Sequence, residues 1–250
     1  MRFHVSLDPP GLREHVERIL PPGWKPCDPA DTTGSFALRR ADNESYDVMI
    51  GTNAGLLGGT LEIAIAMLDA EIRMFVASNA PDRTFVHAGV VAHGRGALVI
   101  PGESFSGKTT LVKALVEAGA TYYSDEYAVL DADGGVHPYP RPLSIRYHEV
   151  TQEQTIGELG GIAGSERAEI AVVVVTRYRP GADWQPTPLS QGAGVLALLA
   201  NTIPAQERPE PSLRAVTRAA AGATVLESER GEAGPVADAL LELLAAPVPR

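Results

Sequence analysis

The sequence predicts an α/β protein: a mixed sheet flanked by helices over residues 83–250, preceded by a small α+β segment over residues 1–82. Three observations predict it. After Pro81, short strand-like runs alternate with stretches of helical period. One run, "EIAVVVVTRY", has the length and β-branching of a buried strand. A glycine-rich loop, "GESFSGKTT", stands between an apolar run and a helical pattern.

Composition narrows the function classes. The chain has 250 residues, 44% of them hydrophobic, enough for a sizeable core. A formal net charge of −10 argues against broad binding to nucleic acid or an anionic membrane, since both reward a basic surface. A single cysteine, Cys27, excludes an internal disulfide framework and a cysteine-based zinc site. The start lacks the apolar core of a signal peptide, and the longest apolar region, "LLGGTLEIAIAMLDA", is interrupted by Glu62 and Asp69. A soluble, cytoplasmic protein is expected.

The elements follow in order. "FHVSL" alternates like a strand, "GLREHVERIL" has helical spacing, and "SFALRR" and "YDVMIGT" are short strands. Thr60 is placed to cap a helix whose apolar face is Leu61, Ile65, Leu68, Ile72, Phe75 and Val76. "FVHAGVVAH" and "GALVIPG" form a hairpin across "GRG". The helix after the glycine-rich loop carries Leu111, Leu115 and Ala118 on one face and ends at Gly119. "ATYYSDEYAVLDADGGVHPYP" reads as two strands joined at "DADGG". "LSQGAGVLALLANT", "SLRAVTRAAAG" and "GPVADALLELLAA" read as helices, with the strand "ATVLESE" between the last two.

Gly102, four residues, then Gly107, Lys108 and Thr109 complete the pattern G-x-x-x-x-G-K-[ST]. Each residue type has a reason. The glycines let the backbone turn its N–H groups toward phosphate oxygens, and the following helix aims its positive end at the same anion. Lys108 reaches the β- and γ-phosphates, and the Thr109 hydroxyl can sit on Mg²⁺. Ser104, Ser106 and Thr110 complete the candidate cradle. The apolar run before Thr176 lacks the terminal acid that motor-type NTPases use to hold the metal.

Acids occur instead at "YYSDEYAVL", where Asp125 and Glu126 stand on the strand after the phosphate-loop helix. Neighbours on a regular strand face opposite sides, so one would face the phosphates unless a bulge re-aims the other. Such an acid can accept a proton from an attacking hydroxyl or hold Mg²⁺. His87, one hairpin before the loop, could return toward the phosphates, although a lone histidine on a strand is more often structural.

Together "HAGVV", "GRG", "GESFSGKTT", "VEAGA" and "SDE" resemble, in order and spacing, the catalytic domain of the HPr kinase/phosphorylase family. The resemblance covers residues 83 to 150 well and is closest to the HPr-kinase-like proteins found beside peptide-modification genes. It implies a P-loop kinase domain of the HPr kinase and phosphoenolpyruvate carboxykinase type, with ATP and Mg²⁺ as cofactors. The acceptor it implies is a hydroxyl, typically a serine of a peptide or small protein. It also implies that Asp125 is the base, that His87 lies near it, and that Glu126 helps hold the metal. Homo-oligomers occur in such a family. The chain departs from the family in carrying Glu as the second acid and in lacking a match to the later glycine-rich signature, so phosphorylase activity, HPr as substrate and a hexamer are not implied.

Arg141 and Arg146 follow the acidic strand in "HPYPRPLSIRYHEV", where the prolines predict a stiff, exposed loop. An arginine there could neutralise charge on a transferring phosphoryl group. Arg177 and Arg179, at the end of the buried strand, are alternatives, because ligands gather at strand ends of α/β sheets. The expected activity is a Mg-ATP-dependent kinase for a peptide or protein hydroxyl. The alternatives are a small-metabolite kinase and a nucleotide-binding regulator without transfer activity.

Overall fold

The computed structural model describes residues 1–28, 31–94, 96–103, 106–147 and 150–246. Contacts divide the chain into two units, Met1–Pro81 and Asp82–Arg250.

The first unit holds β1 (Phe3–Asp8), α1 (Arg13–Ile19), β2 (Gly34–Arg40), β3 (Tyr46–Ile50), β4 (Asn53–Gly59) and α2 (Leu61–Asn79). Its sheet runs β1-β2-β3-β4, with β1 parallel to β2 and the other pairs antiparallel. The Thr60 hydroxyl accepts a hydrogen bond from Ile63 N at 3.3 Å and so caps α2. Burial of Ala64, Leu68, Ile72, Val76 and Ala77 fixes the inward face of that helix. Phe3, Phe36 and Phe75 meet edge to face at centroid distances of 5.6–6.1 Å. Strand β4, "NAGLLGG", is not expected from its glycine-rich sequence. The Asp47 carboxylate holds Gly58 N at 2.8 Å, where Gly58 has a φ of +71°.

The second unit begins with the expected hairpin, β5 (Thr84–His93) and β6 (Gly96–Pro101). There follow α3 (Lys108–Glu117), β7 (Thr121–Ser124), β8 (Tyr127–Leu130), β9 (Val136–His137), β10 (Leu143–Tyr147), β11 (Val150–Gln154) and β12 (Ile162–Ala163). The chain then forms β13 (Ile170–Tyr178), β14 (Thr187–Leu189), α4 (Gln191–Ala200), α5 (Pro209–Ala220), β15 (Thr224–Arg230) and α6 (Ala233–Ala245). The main sheet is mixed and runs β12-β7-β5-β6-β13-β15-β14, with β8 also on β5 and β9 on β8; β10 and β11 form a separate hairpin. Strands β6, β13 and β15 are mutually parallel, so their carboxyl ends lie along one end of the sheet. The chain order, with β7 directly after the helix that follows the glycine-rich loop, predicts that the strand leading to Asp125 lies beside β6; instead β5 separates β7 from β6.

Alternation along β6 and β13 supplies two cores. Leu98, Ile100, Val172 and Val174 pack with α3 and α6 on one face, while Val99 and Val173 pack with α4 and α5 on the other. A strand covered on both faces reads as one apolar run, which is why "AVVVV" was recognisable. Gly119 closes α3 with a φ of +101°. Gly119 N donates to Val116 O at 3.0 Å and Ala120 N to Leu115 O at 2.9 Å, the paired bonds that end a helix at glycine.

Gly89 sets how closely α3 approaches β5. A Cβ there would lie 2.6 Å from Val112 Cγ2. Gly89→Val is therefore expected to lower stability by about 1–3 kcal/mol through overpacking, measured by chemical denaturation of the full chain.

Candidate active site

The glycine-rich loop leaves β6 at Pro101 and returns as α3 at Lys108. Gly102 N donates to His87 O at 3.3 Å, so the loop starts from the hairpin partner of β6. At the far end Gly107 has a φ of +89°, a left-handed conformation that glycine adopts without a steric penalty. Among the described residues no side chain caps α3 at Gly107, so its first-turn N–H groups are placed to meet an anion. The Ser106 hydroxyl oxygen is buried and has no partner among the described residues. Thr110 is exposed. Ser104 lies outside the described residues.

Lys108 is 7% exposed. Its ammonium donates to the carbonyls of Gly102 and Glu103, both at 2.8 Å, and so spans the mouth of the loop. Burial lowers its pKa, while the carboxylates of Glu126, Asp125 and Glu103 oppose that shift. Both members of the acidic pair are therefore near enough to act on the loop's cation.

Asp125 and Glu126 do not stand on a regular strand. They form a bend between β7 and β8. Ser124, 1% exposed, makes the bend: its hydroxyl oxygen accepts from Glu126 N at 3.1 Å and Tyr127 N at 2.9 Å. Strand β7 pairs with β5 at Val90–Ala92 and β8 pairs with it at Thr84–His87. Ala88 N donates to Glu126 O at 3.1 Å across the gap, so the bend is held against β5.

That geometry aims Asp125 at α3. The Thr109 side chain lies near enough to its carboxylate to favour the ionised form. The Tyr122 hydroxyl lies 3.2 Å from Asp125 Oδ1, 3.2 Å from Asp125 N and 2.9 Å from Arg141 O. Tyr122 is fully buried, and burial together with the Asp125 charge pushes its pKa up. Asp125 is pushed up to about 6, first by burial and then by the Glu126 carboxylate; the bonds from Thr109 and Tyr122 pull the other way.

The structure brings the His87 backbone to the same place. His87 N donates to Asn201 O at 2.7 Å, and its ring centroid is 6.4 Å from that of Tyr127. The Arg141 carbonyl reaches the Tyr122 hydroxyl, but the loop around it is not the exposed one that its prolines suggested. Tyr139 is 6% exposed and packs edge to face on Phe85 and Tyr127. Arg146 has its backbone in β10, and its side chain lies outside the described residues. Arg177 and Arg179 line a separate cavity of about 680 Å³ at the carboxyl ends of β13 and β15, where Arg179 pairs with Glu229 at 2.9 Å.

Sequence reasoning missed Tyr122, Ser124, Tyr178 and Arg230. Arg230, 1% exposed, donates to Gly107 O at 2.6 Å across 123 residues of sequence. Nothing in "ESERGE" distinguishes it from a solvated charge. Tyr122 carried a weak signal, as one of two adjacent tyrosines next to an acidic pair.

Among the described residues no group of three or more His, Cys, Asp or Glu is arranged to hold a metal ion by itself, and no helix is long and apolar enough to cross a membrane. No model of a known protein family matches the chain, and no curated protein matches it.

Proposed function

We propose that the chain is a Mg-ATP-dependent phosphotransferase with a P-loop kinase domain of the HPr kinase and phosphoenolpyruvate carboxykinase type. The observation that supports this reading is the convergence of the glycine-rich loop, whose Lys108 ammonium donates to the carbonyls of Gly102 and Glu103, with the Asp125 carboxylate, which acts on Lys108 and is acted on by Thr109. It brings the start of α3 and a carboxylate from the β7–β8 bend to one place, as a shared metal and phosphate site would need. The N–H groups of α3 and the Lys108 ammonium would hold phosphate oxygens. The Ser106 hydroxyl, buried without a described partner, is a further donor for them.

The donor set suits Mg²⁺. Thr109 and Glu126 would offer hard oxygens, and this ion takes its remaining ligands from water and phosphate. Bound there, it would supply charge neutralisation at the transferring phosphoryl group. Asp125 is the base: the acceptor hydroxyl loses its proton to this carboxylate as its oxygen bonds to the γ-phosphorus. The bond from that phosphorus to the bridging oxygen breaks, and ADP leaves. A carboxyl that titrates near pH 6 is ionised at neutral pH yet more basic than an ordinary aspartate, which suits that role. Resemblance points to a serine hydroxyl of a peptide or small protein as acceptor, in the cytoplasm.

The test has two stages. Titration calorimetry should show Mg-ATP binding by the wild-type chain. Labelled ATP should then mark one member of a panel of serine-containing peptides or proteins. Absence of nucleotide binding by folded protein would remove the proposal; binding without transfer to any acceptor would favour the regulatory alternative.

A further inference from the structure

We infer that Arg230 is a positioning residue for phosphate binding, acting through the Gly107–Lys108 peptide unit. The inference rests on the phosphate-site reading above and deepens it.

Arg230 ends β15 and is almost wholly buried. Among the described residues it has no ion pair. Its Nη2 donates to Gly107 O at 2.6 Å and its Nη1 to Gly231 O at 3.0 Å, and its guanidinium lies 5.5 Å from the Tyr178 ring centroid. Its Nε is buried without a partner. A buried cation with an unsatisfied donor and no direct ion pair, offset by the charge of Glu232 beyond contact, is costly. A costly group kept in place calls for a function.

The geometry shows what it does. A trans peptide unit is planar, so its C=O and N–H point in opposite directions. Arg230 pins the Gly107 carbonyl and thereby turns the Lys108 N–H the other way. Leu111 N donates to the same carbonyl at 3.2 Å, which orients that C=O along α3 and the Lys108 N–H out of the helix start, toward the loop. The bond to a guanidinium is charge-assisted and polarises the peptide, adding to the positive end that an anion meets. One residue earlier, Tyr178 N donates to Ser106 O at 3.5 Å, which restrains the preceding peptide unit in the same sense. The ends of β13 and β15 thus hold two successive carbonyls outward. Space is fitted to this contact: a Cβ on Gly107 would lie 2.6 Å from Arg230 Nη2. A side chain at Gly107 would therefore push the guanidinium off this contact, besides straining the φ of +89°.

The experiment compares Arg230→Met and Arg230→Lys with wild type. Calorimetry measures affinity for Mg-ATP and for inorganic tripolyphosphate, and melting midpoints are recorded without ligand. Arg230→Met should lose about tenfold to a hundredfold affinity for both probes, the scale of one charge-assisted hydrogen bond. Arg230→Lys, which keeps the charge and a donor nitrogen but not the planar fork, should recover part of it. The unliganded midpoint should move little, since Leu111 N still satisfies the Gly107 carbonyl; with an acceptor in hand, KM for ATP should rise more than kcat falls. Wild-type affinities in folded Arg230→Met would overturn the inference, as would losses that merely follow a collapse of the melting midpoint in both variants. A wild-type chain that binds neither probe would instead remove the phosphate-site reading itself.

Discussion

Asp125→Asn is expected to lower phosphoryl transfer about a hundred- to ten-thousand-fold, the usual effect of removing a positioned base, while raising the melting temperature of the unliganded protein. The two effects share a cause. The Asp125 carboxyl is pushed up from 3.8 to about 6 by burial and by Glu126. A folded pKa above the unfolded one means that this group supports the fold at low pH, below about 4. It loses that contribution as pH rises through about 6. At neutral pH the ionised carboxylate is a burden on the order of 3 kcal/mol. Asparagine keeps the shape and an oxygen for Thr109 and Tyr122 but carries no charge and accepts no proton. Scanning calorimetry at pH 7.5 and a transfer assay on the same preparation test both halves. The wild-type rate should also fall as pH drops below about 6, and the melting advantage of the variant should shrink over the same interval. A variant that transfers at the wild-type rate would pass the role of base to Glu126.

Lys108→Ala is expected to act at an earlier step. The ammonium bridges two loop carbonyls and lies within electrostatic reach of both acids. Removing it takes away the cation that phosphate oxygens would meet and leaves the carbonyls of Gly102 and Glu103 without their donor. Loss of one preorganised charge of this kind costs about a hundred- to a thousand-fold in turnover, and here Mg-ATP affinity should fall too. The contrast with Asp125→Asn is diagnostic: that variant should still bind Mg-ATP, and Lys108→Ala should not match it. Equal affinities for Mg-ATP in Lys108→Ala and wild type would exclude Lys108 as a phosphate ligand.

What was legible in the sequence is what is local or periodic. The spacing from Gly102 to Thr109 is a local pattern, and it lies where a strand meets a helix. Helices α2, α4, α5 and α6 announce themselves by period, and β13 by an unbroken apolar run. What was not legible depends on partners remote in sequence. The bend at Asp125–Glu126 reads as continuous strand, because its causes are the Ser124 hydroxyl and the way β5 pairs with two strands along one edge. Arg230 reads as a surface charge because its partner, Gly107, lies far away in the chain. The prolines around Tyr139 suggested exposure, but the tyrosine finds Phe85 and Tyr127 and is buried. The strands β4, β12 and β14 are glycine-bearing or very short, and composition does not separate them from loops.

The position of β6 between β5 and β13 has a consequence for synthesis on the ribosome. Strands β5 and β6 and the loop are complete soon after Pro101, but β13 begins only at Ile170 and β15 at Thr224. At roughly 5–20 residues per second, translation leaves a wait of several seconds. During it the nascent β6 shows one open row of main-chain N–H and C=O groups along the apolar run Ala97–Ile100. An open apolar edge is a template for any other unfinished chain nearby. A polypeptide cut short before Ile170 would carry the whole glycine-rich motif on such an edge, and is expected to aggregate rather than to serve as a minimal fragment for binding tests.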